Sequence, residues 1–195
     1  SMSFLEEFET YKDFSPPGVR LPEIIIEKER YKSLGLKEDS TNFQFLTSLC
    51  SAGLKDKAID ANKLKLYKSR VKEELLILKD LGFIDYILLN WDVLNFCHEN
   101  NIPTGPGRGS AAGSLVLYLI RVTQVDPIKN DLFFERFVSK SRAKKTEHNG
   151  ITYLDGSLLA DVDNDIAYEH RQTVIKYIED KYPARTCKIL TLNTL

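Results

Sequence analysis

Asp161, Asp163 and Asp165 alternate along Leu158-Leu-Ala-Asp-Val-Asp-Asn-Asp-Ile166, about fifty residues after a Gly-Ser-rich segment, Gly105-Pro-Gly-Arg-Gly-Ser-Ala-Ala-Gly-Ser114. Carboxylates at every second position suit a divalent cation, and glycines interleaved with hydroxyls suit a phosphate. In an extended segment residues i, i+2 and i+4 point to one side, so the three acids share a face with neighbours roughly 6.5–7 Å apart. Close like charges cost stability unless a cation or Lys/Arg neutralises them. Ala160, Val162 and Ile166 take the reverse face, which is small or apolar apart from Asn164 and can pack on helices. A solvated acidic edge is the competing reading.

The glycines at 105, 107, 109 and 113 let the backbone turn sharply and approach a ligand closely. Ser110 and Ser114 add hydroxyl donors, and Arg108 adds a planar fork suited to phosphate oxygens. A helix is expected over residues 111–122, aiming its unpaired N–H groups and positive dipole end at the same point. This is neither a Gly-x-x-x-x-Gly-Lys-Ser/Thr loop, since no lysine follows the last glycine, nor a dinucleotide fingerprint, since no clear strand precedes it. Glycines that merely cap a helix and permit tight packing would give the same pattern. Taken together, cation-holding acids and a phosphate cradle describe metal-assisted phosphoryl or nucleotidyl transfer. Mg²⁺ is the expected ion, as a pair about 3.5–4 Å apart.

Such a site needs a scaffold, and the composition allows one. The chain has 195 residues, 43% of them hydrophobic, enough for one large domain or two small ones with a real core. A formal net charge of −1 excludes a global basic field, so any nucleic-acid surface must be a local patch. Cys50, Cys97 and Cys187 are widely separated and lack Cys-x-x-Cys spacing, which argues against a disulfide framework or a zinc site and points to reducing cytosol. Cys97 reads as core filler, and His98, His148 and His170 share no ligand spacing. No signal peptide or bilayer-length apolar run is visible, so no membrane partner is expected. Ser1-Met2-Ser3 resembles an expression scar, which suggests a piece of a longer chain.

The periodicity predicts mostly helices. Residues 14–18 break any helix begun over 4–11, and residues 23–27 fit a short strand or a helix start. Thr41-Asn42 opens a helical stripe through Phe43, Phe45, Leu46, Leu49 and Cys50 that ends near Gly53. Residues 61–81 place Leu64, Tyr67, Val71, Leu75, Leu78 and Leu81 at helix spacing, with Gly82 as the stop. Residues 84–97 read as a buried helix, and a short one carries Leu132, Phe133, Phe134 and Phe137. After a basic loop at 139–145, Asn149-Gly150 predicts a hairpin turn. Residues 167–182 are helical up to Pro183, and 188–192 look like a final strand. The expected class is α/β: a small mixed or antiparallel sheet carrying the aspartates, covered by several helices, with the glycine turn across from it.

The glycine segment, Asp126-Pro127, Leu132-Phe-Phe-Glu-Arg-Phe137, the Asp161-Val-Asp-Asn-Asp165 strand and residues 171–174, in that order, resemble the palm of the bacterial C-family replicative DNA polymerases, the DNA polymerase III alpha subunits. Residues 73–82 and Tyr86 fit the segment that precedes the family's glycine turn. The likeness covers residues 65–195 well and residues 1–64 poorly, which divides the single domain into a palm core and an N-terminal helical or irregular segment.

The resemblance implies a nucleotidyltransferase-type palm that transfers deoxynucleotides from dNTP to a primer 3′-hydroxyl with two Mg²⁺ ions. By position, Gly109 and Ser110 are the pair that holds the triphosphate, with Arg108 beside them, and Ser114 and Arg136 are further phosphate candidates. A helix-surface ion pair is the other reading of Arg136. Asp161 and Asp163 match the family's two metal-binding aspartates, and Asp165 its third acid, whose role is less direct. Ala160, Asn164 and Ile166 depart from the family's motif, which suggests a less rigidly held strand. An inserted hairpin at 144–156 suggests a divergent branch, viral or plasmid-borne. The basic run at 142–145 is a solvated loop or a contact to the DNA backbone. The family's remaining catalytic aspartate is expected beyond Leu195, so the isolated piece is expected to be inactive. Implied partners are primer–template DNA, dNTP and, through other parts of the parent chain, replisome subunits. The rivals are a small-substrate nucleotidyltransferase and a catalytically inactive palm kept as a replication scaffold.

Overall fold

A computed structural model of the chain describes residues 21–107, 109–138, 145–148, 151–154 and 162–194. The helix expected over 4–11, the break at 14–18 and most of the basic loop at 139–145 lie outside them. Residues 21–27 are irregular and lead into α1 (Lys28–Ser33). Helix α2 (Asn42–Asp56) begins at a capping box, in which the Thr41 hydroxyl accepts from the Gln44 N–H at 3.1 Å and the Thr41 N–H donates to the Gln44 side chain at 2.8 Å. It runs past Gly53, the expected stop. That glycine serves packing instead, since a Cβ there would lie 2.2 Å from the Leu119 carbonyl oxygen.

Helix α3 (Leu64–Leu81) buries the expected stripe of Tyr67, Val71, Leu75, Leu78 and Leu81 and ends at Gly82, whose φ of 76° is the left-handed cap that glycine favours. Helix α4 (Ile84–Glu99) is buried on all sides, with Ile87, Leu88, Leu89, Val93 and Leu94 at its heart, as befits a core helix. Trp91 of α4 meets Phe45 of α2 edge-on at 5.2 Å. The long helix expected over 111–122 is replaced by a 3₁₀ turn, Gly109–Gly113, and a short α5 (Leu115–Leu119) capped by Ser114. The phenylalanine-rich segment is likewise a 3₁₀ turn, Phe134–Arg136, with Phe134 and Phe137 buried and Phe133 70% exposed.

Strands β1 (Lys145–His148) and β2 (Ile151–Leu154) pair antiparallel with His148 opposite Ile151, the spacing that a two-residue turn requires. Asn149-Gly150 itself and residues 155–161 lie outside the described residues. Strand β3 (Asp163–Ile166) pairs parallel with β4 (Thr191–Thr194), Asp163 opposite Thr191, and on its other side Thr104 makes an antiparallel bridge to Ile166. Asp163 and Asp165 therefore sit in a small sheet of mixed direction, within an α/β fold that is mostly helical. The parallel pairing follows from α6 (Arg171–Lys181), which carries the chain back between the two strands. The last strand starts three residues later than expected, because residues 184–188 form a 3₁₀ turn.

Helix α6 is tied to α4 by a buried polar knot. Asp92, 2% exposed, accepts from the Tyr177 hydroxyl at 2.6 Å and from the Tyr182 hydroxyl, and Lys181 lies 2.9 Å from it. Burial and the neighbouring Asp92 charge push both tyrosine pKa values up. Phe96 and Tyr177 stack alongside at 4.0 Å. Among the described residues no helix is long and apolar enough to cross a membrane.

Candidate active site

Strand β3 is placed from behind. Val162, Asn164 and Ile166 are 1%, 2% and 0% exposed. The Val162 N–H donates to the Tyr86 hydroxyl at 3.4 Å, and the Asn164 amide donates to the Asn90 carbonyl oxygen at 2.9 Å, both on α4. Alternation then turns Asp163 and Asp165 to the other side. Asp163 is half-buried, with the Asn193 amide of β4 donating to its Oδ1 at 3.3 Å. Asp165 is 5% exposed and lies against Gly105, where a Cβ would come within 2.8 Å of the Asp165 Cβ.

The glycine turn meets this strand from the front. The Gly105 N–H donates to the Asp165 carbonyl at 2.8 Å, and the chain then passes Gly107 and Gly109 with φ of 86° and 69°, values that suit only glycine without strain. A Cβ on exposed Gly109 would lie 3.6 Å from Asp163 Oδ2, so bend and acid face one another at contact distance. Ser110, half-buried, follows directly. Arg108 and Asp161 lie outside the described residues. Arg136 is exposed, packs near Gly113, and has no carboxylate partner among the described residues.

Ser114 is turned inward. It is fully buried; its hydroxyl donates to Glu74 Oε1 at 2.9 Å and accepts from the Leu117 N–H at 3.2 Å. The same Glu74 carboxylate takes the Leu115 and Val116 N–H groups at 2.9 and 3.0 Å. The open helix N-terminus expected to face a phosphate is thus filled from inside the protein, and Ser114 is spent on that internal bond. The bend at Gly109, with Ser110 next in the chain, is what remains near Asp163.

Arg70 and Glu74 did not figure among the expected site residues. Arg70 Nε donates to Glu74 Oε2 at 2.8 Å, and its Nη2 donates to the carbonyls of Gly113 and Leu132 at 2.8 and 3.0 Å. Burial pushes the Glu74 pKa up, against the pull of two backbone N–H groups and the Arg70 guanidinium. The signal was present in the sequence: an acid inside the buried stripe of α3, four residues after an arginine.

Among the described residues Asp163 has no lysine or arginine partner, and no three His, Cys, Asp or Glu side chains gather closely enough to enclose an ion alone. A half-open carboxylate facing a glycine bend fits Mg²⁺, which is commonly held by one or two carboxylates together with substrate phosphates. A hollow of about 190 Å³ among the described residues is lined by Arg30, Phe45, Trp91 and Leu119 among others and takes nothing from β3 or the bend. Cys97 is buried, and burial pushes its thiol up to about 11, as suits core filler.

Residues 44–195 match the family model described as the bacterial DNA polymerase III alpha NTPase domain. The chain is 37% identical over 174 residues to the DNA polymerase III subunit alpha of Halalkalibacterium halodurans, an overlap of 89% of this chain and 14% of the relative. It is 35% identical to that of Bacillus subtilis over the same shares, and 34% identical to that of Chlamydia trachomatis over 97% of this chain and 15% of the relative. It spans about a seventh of the length of these curated relatives. With most of its length inside the family model and relatives above 30% identity, the chain belongs to the bacterial DNA polymerase III alpha family.

Proposed function

We propose that this chain is the palm of a bacterial replicative DNA polymerase, and that its whole protein adds deoxynucleotides to a primer 3′-hydroxyl on a DNA template in the cytoplasm. The observation that carries the reading is the approach of Gly109 to Asp163, which sets a glycine bend against a carboxylate free of cationic side chains among the described residues. In the reaction the primer oxygen bonds to the α-phosphorus of a dNTP, the bond to the β-phosphate oxygen breaks, the hydroxyl proton departs and pyrophosphate leaves. Gly109 and Ser110 hold the triphosphate, and Arg108 and Arg136 balance its charge.

Asp161 and Asp163 are the residues that would hold Mg²⁺, with Asp165 as the further acid of less direct role. When bound, the metal pair activates the attacking hydroxyl and steadies the leaving oxygen. Strand β3 keeps the Asp163 and Asp165 carboxylates in register, because its reverse face is locked onto α4. Replisome partners are expected to bind parts of the parent chain beyond this palm.

The test is primer extension by the full-length polymerase carrying Asp161→Ala or Asp163→Ala. Loss of about 10³-fold or more in rate is expected for removal of a group that supports the transition state. Wild-type extension by either variant overturns the assignment and leaves the scaffold reading. A variant defect seen with small acceptors but absent with primer–template would instead favour a small-substrate nucleotidyltransferase.

A further inference from the structure

We propose that Arg70 and Glu74 form a positioning pair for nucleotide binding, acting through the bend and Arg136 rather than touching the nucleotide. The inference rests on the reading of Gly109–Gly113 as the triphosphate site. That turn hangs between two anchors. One is β3, through the Gly105 N–H on the Asp165 carbonyl and the bridge from Thr104 to Ile166. The other is Glu74, which gathers the Ser114 hydroxyl and the Leu115 and Val116 N–H groups, while Arg70 holds the Gly113 carbonyl.

The second anchor does one thing more. The Arg70 guanidinium also holds the Leu132 carbonyl, and so fixes the start of the Phe134–Arg136 turn. The two turns touch through Gly113, where a Cβ would meet the Phe133 carbonyl oxygen at 2.5 Å and the Arg136 Cβ at 3.6 Å. One ion pair thereby sets the distance between the bend and exposed Arg136, two elements that no strand joins. A buried ion pair is weak evidence of stabilisation, because apolar side chains of similar volume often serve as well. Here apolar replacements would leave a hydroxyl, two N–H groups and two carbonyls without these partners. The aspartates on β3 are held independently, by Tyr86, Asn90 and Asn193.

Loosening the pair therefore separates binding from chemistry. In the full-length polymerase, Glu74→Gln and Arg70→Lys should each raise the KM for dNTP about tenfold, with kcat changed less than about threefold. The penalty of Arg136→Ala on that KM should shrink when Glu74→Gln is already present. KM is independent of the fraction of enzyme that folds, so a variant recovered in low yield still reports. A KM for dNTP within about twofold of wild type in both variants overturns the proposal, whatever the change in Tm. Asp163→Ala run alongside separates the two levels: if it abolishes extension while those KM values stay put, the positioning role alone falls. If Asp163→Ala extends primers normally, the phosphate-site reading falls and takes this inference with it.

Discussion

The Asn164 side-chain amide donates to the Asn90 carbonyl oxygen at 2.9 Å, and the Asn90 amide in turn donates to the Tyr86 carbonyl at 3.0 Å, all within the buried core. Asn164, with Ala160 and Ile166, was expected to leave the strand less rigidly held; the amide pair gives it a directional tie. Replacing Asn164 by Leu leaves Asn90 Oδ1 buried without that donor, and stability should fall by about 1–3 kcal/mol. The double variant Asn90→Leu/Asn164→Leu should lose less than the sum of the two single changes. Urea unfolding of the four proteins measures this coupling, and strict additivity would count against a paired amide.

Gly53 lies inside α2, where alanine would ordinarily favour a helix by about 1 kcal/mol. Its missing Cβ would lie 2.2 Å from the Leu119 carbonyl oxygen and 2.9 Å from the Leu119 carbonyl carbon, and backbone cannot rotate away as a side chain can. Gly53→Ala should therefore destabilise the protein by about 1–3 kcal/mol or more, through overpacking between α2 and α5. Thermal melting decides the sign. An increase in Tm would mean that the two helices have room to separate.

These two residues also mark where the sequence was legible. The stripe of α3 and its stop at Gly82 could be read because both are local signals, periodicity and a left-handed cap. Gly53 was read as a stop by the same logic, yet its reason for being there is Leu119, far along the chain. The long helix expected over 111–122 failed for a related cause: apolar content continues through the segment, but the peptide N–H groups of Leu115 and Val116 are engaged by Glu74, a partner some forty residues away. In β4 the apolar Ile189 and Leu190 suggested an earlier strand, whereas the chain pairs only where Thr191 comes opposite Asp163. The nearness of the glycine bend to the acids was proposed from chemistry, since nothing local in either segment encodes the Gly105–Asp165 contact.

Glu27 gives the fold an acid-sensitive tie. Burial raises the pKa of its carboxyl, but hydrogen bonds from Lys181, its own N–H and Arg30 outweigh that and hold it at about 2. A folded-state pKa below the unfolded value of about 4.3 means the contribution is present at higher pH and is lost as pH falls through the interval down to about 2. Unfolding free energy should decline over that window. In Glu27→Gln the slope should be shallower, by the share of one proton, when stability is measured at a series of pH values. An unchanged slope would show that the ion pairs with Arg30 and Lys181 are too solvated to matter.

Gly105→Ala tests the contact between bend and strand at its tightest point. The added methyl would come within 2.8 Å of the Asp165 Cβ and 2.9 Å of its Oδ2, distances that require something to move. The main chain cannot simply back away, because the Gly105 N–H is held on the Asp165 carbonyl at 2.8 Å and Thr104 is bridged to Ile166. The Asp165 side chain must swing, or β3 must shift and carry Asp163 with it. A displacement of about 1 Å in a catalytic group can cost about 10²-fold, so full-length polymerase with Gly105→Ala should lose about that much in single-turnover extension at saturating dNTP. Gly35→Ala is the control: Gly35 also needs its own backbone conformation, with φ of 71°, but a Cβ there meets nothing within 4 Å. It should cost stability of about 1 kcal/mol and leave the rate alone. If both variants extend at the wild-type rate, either β3 has stayed in place while Asp165 swung aside or its acids tolerate the shift, and a direct role for Asp165 in holding the metal would have to be withdrawn.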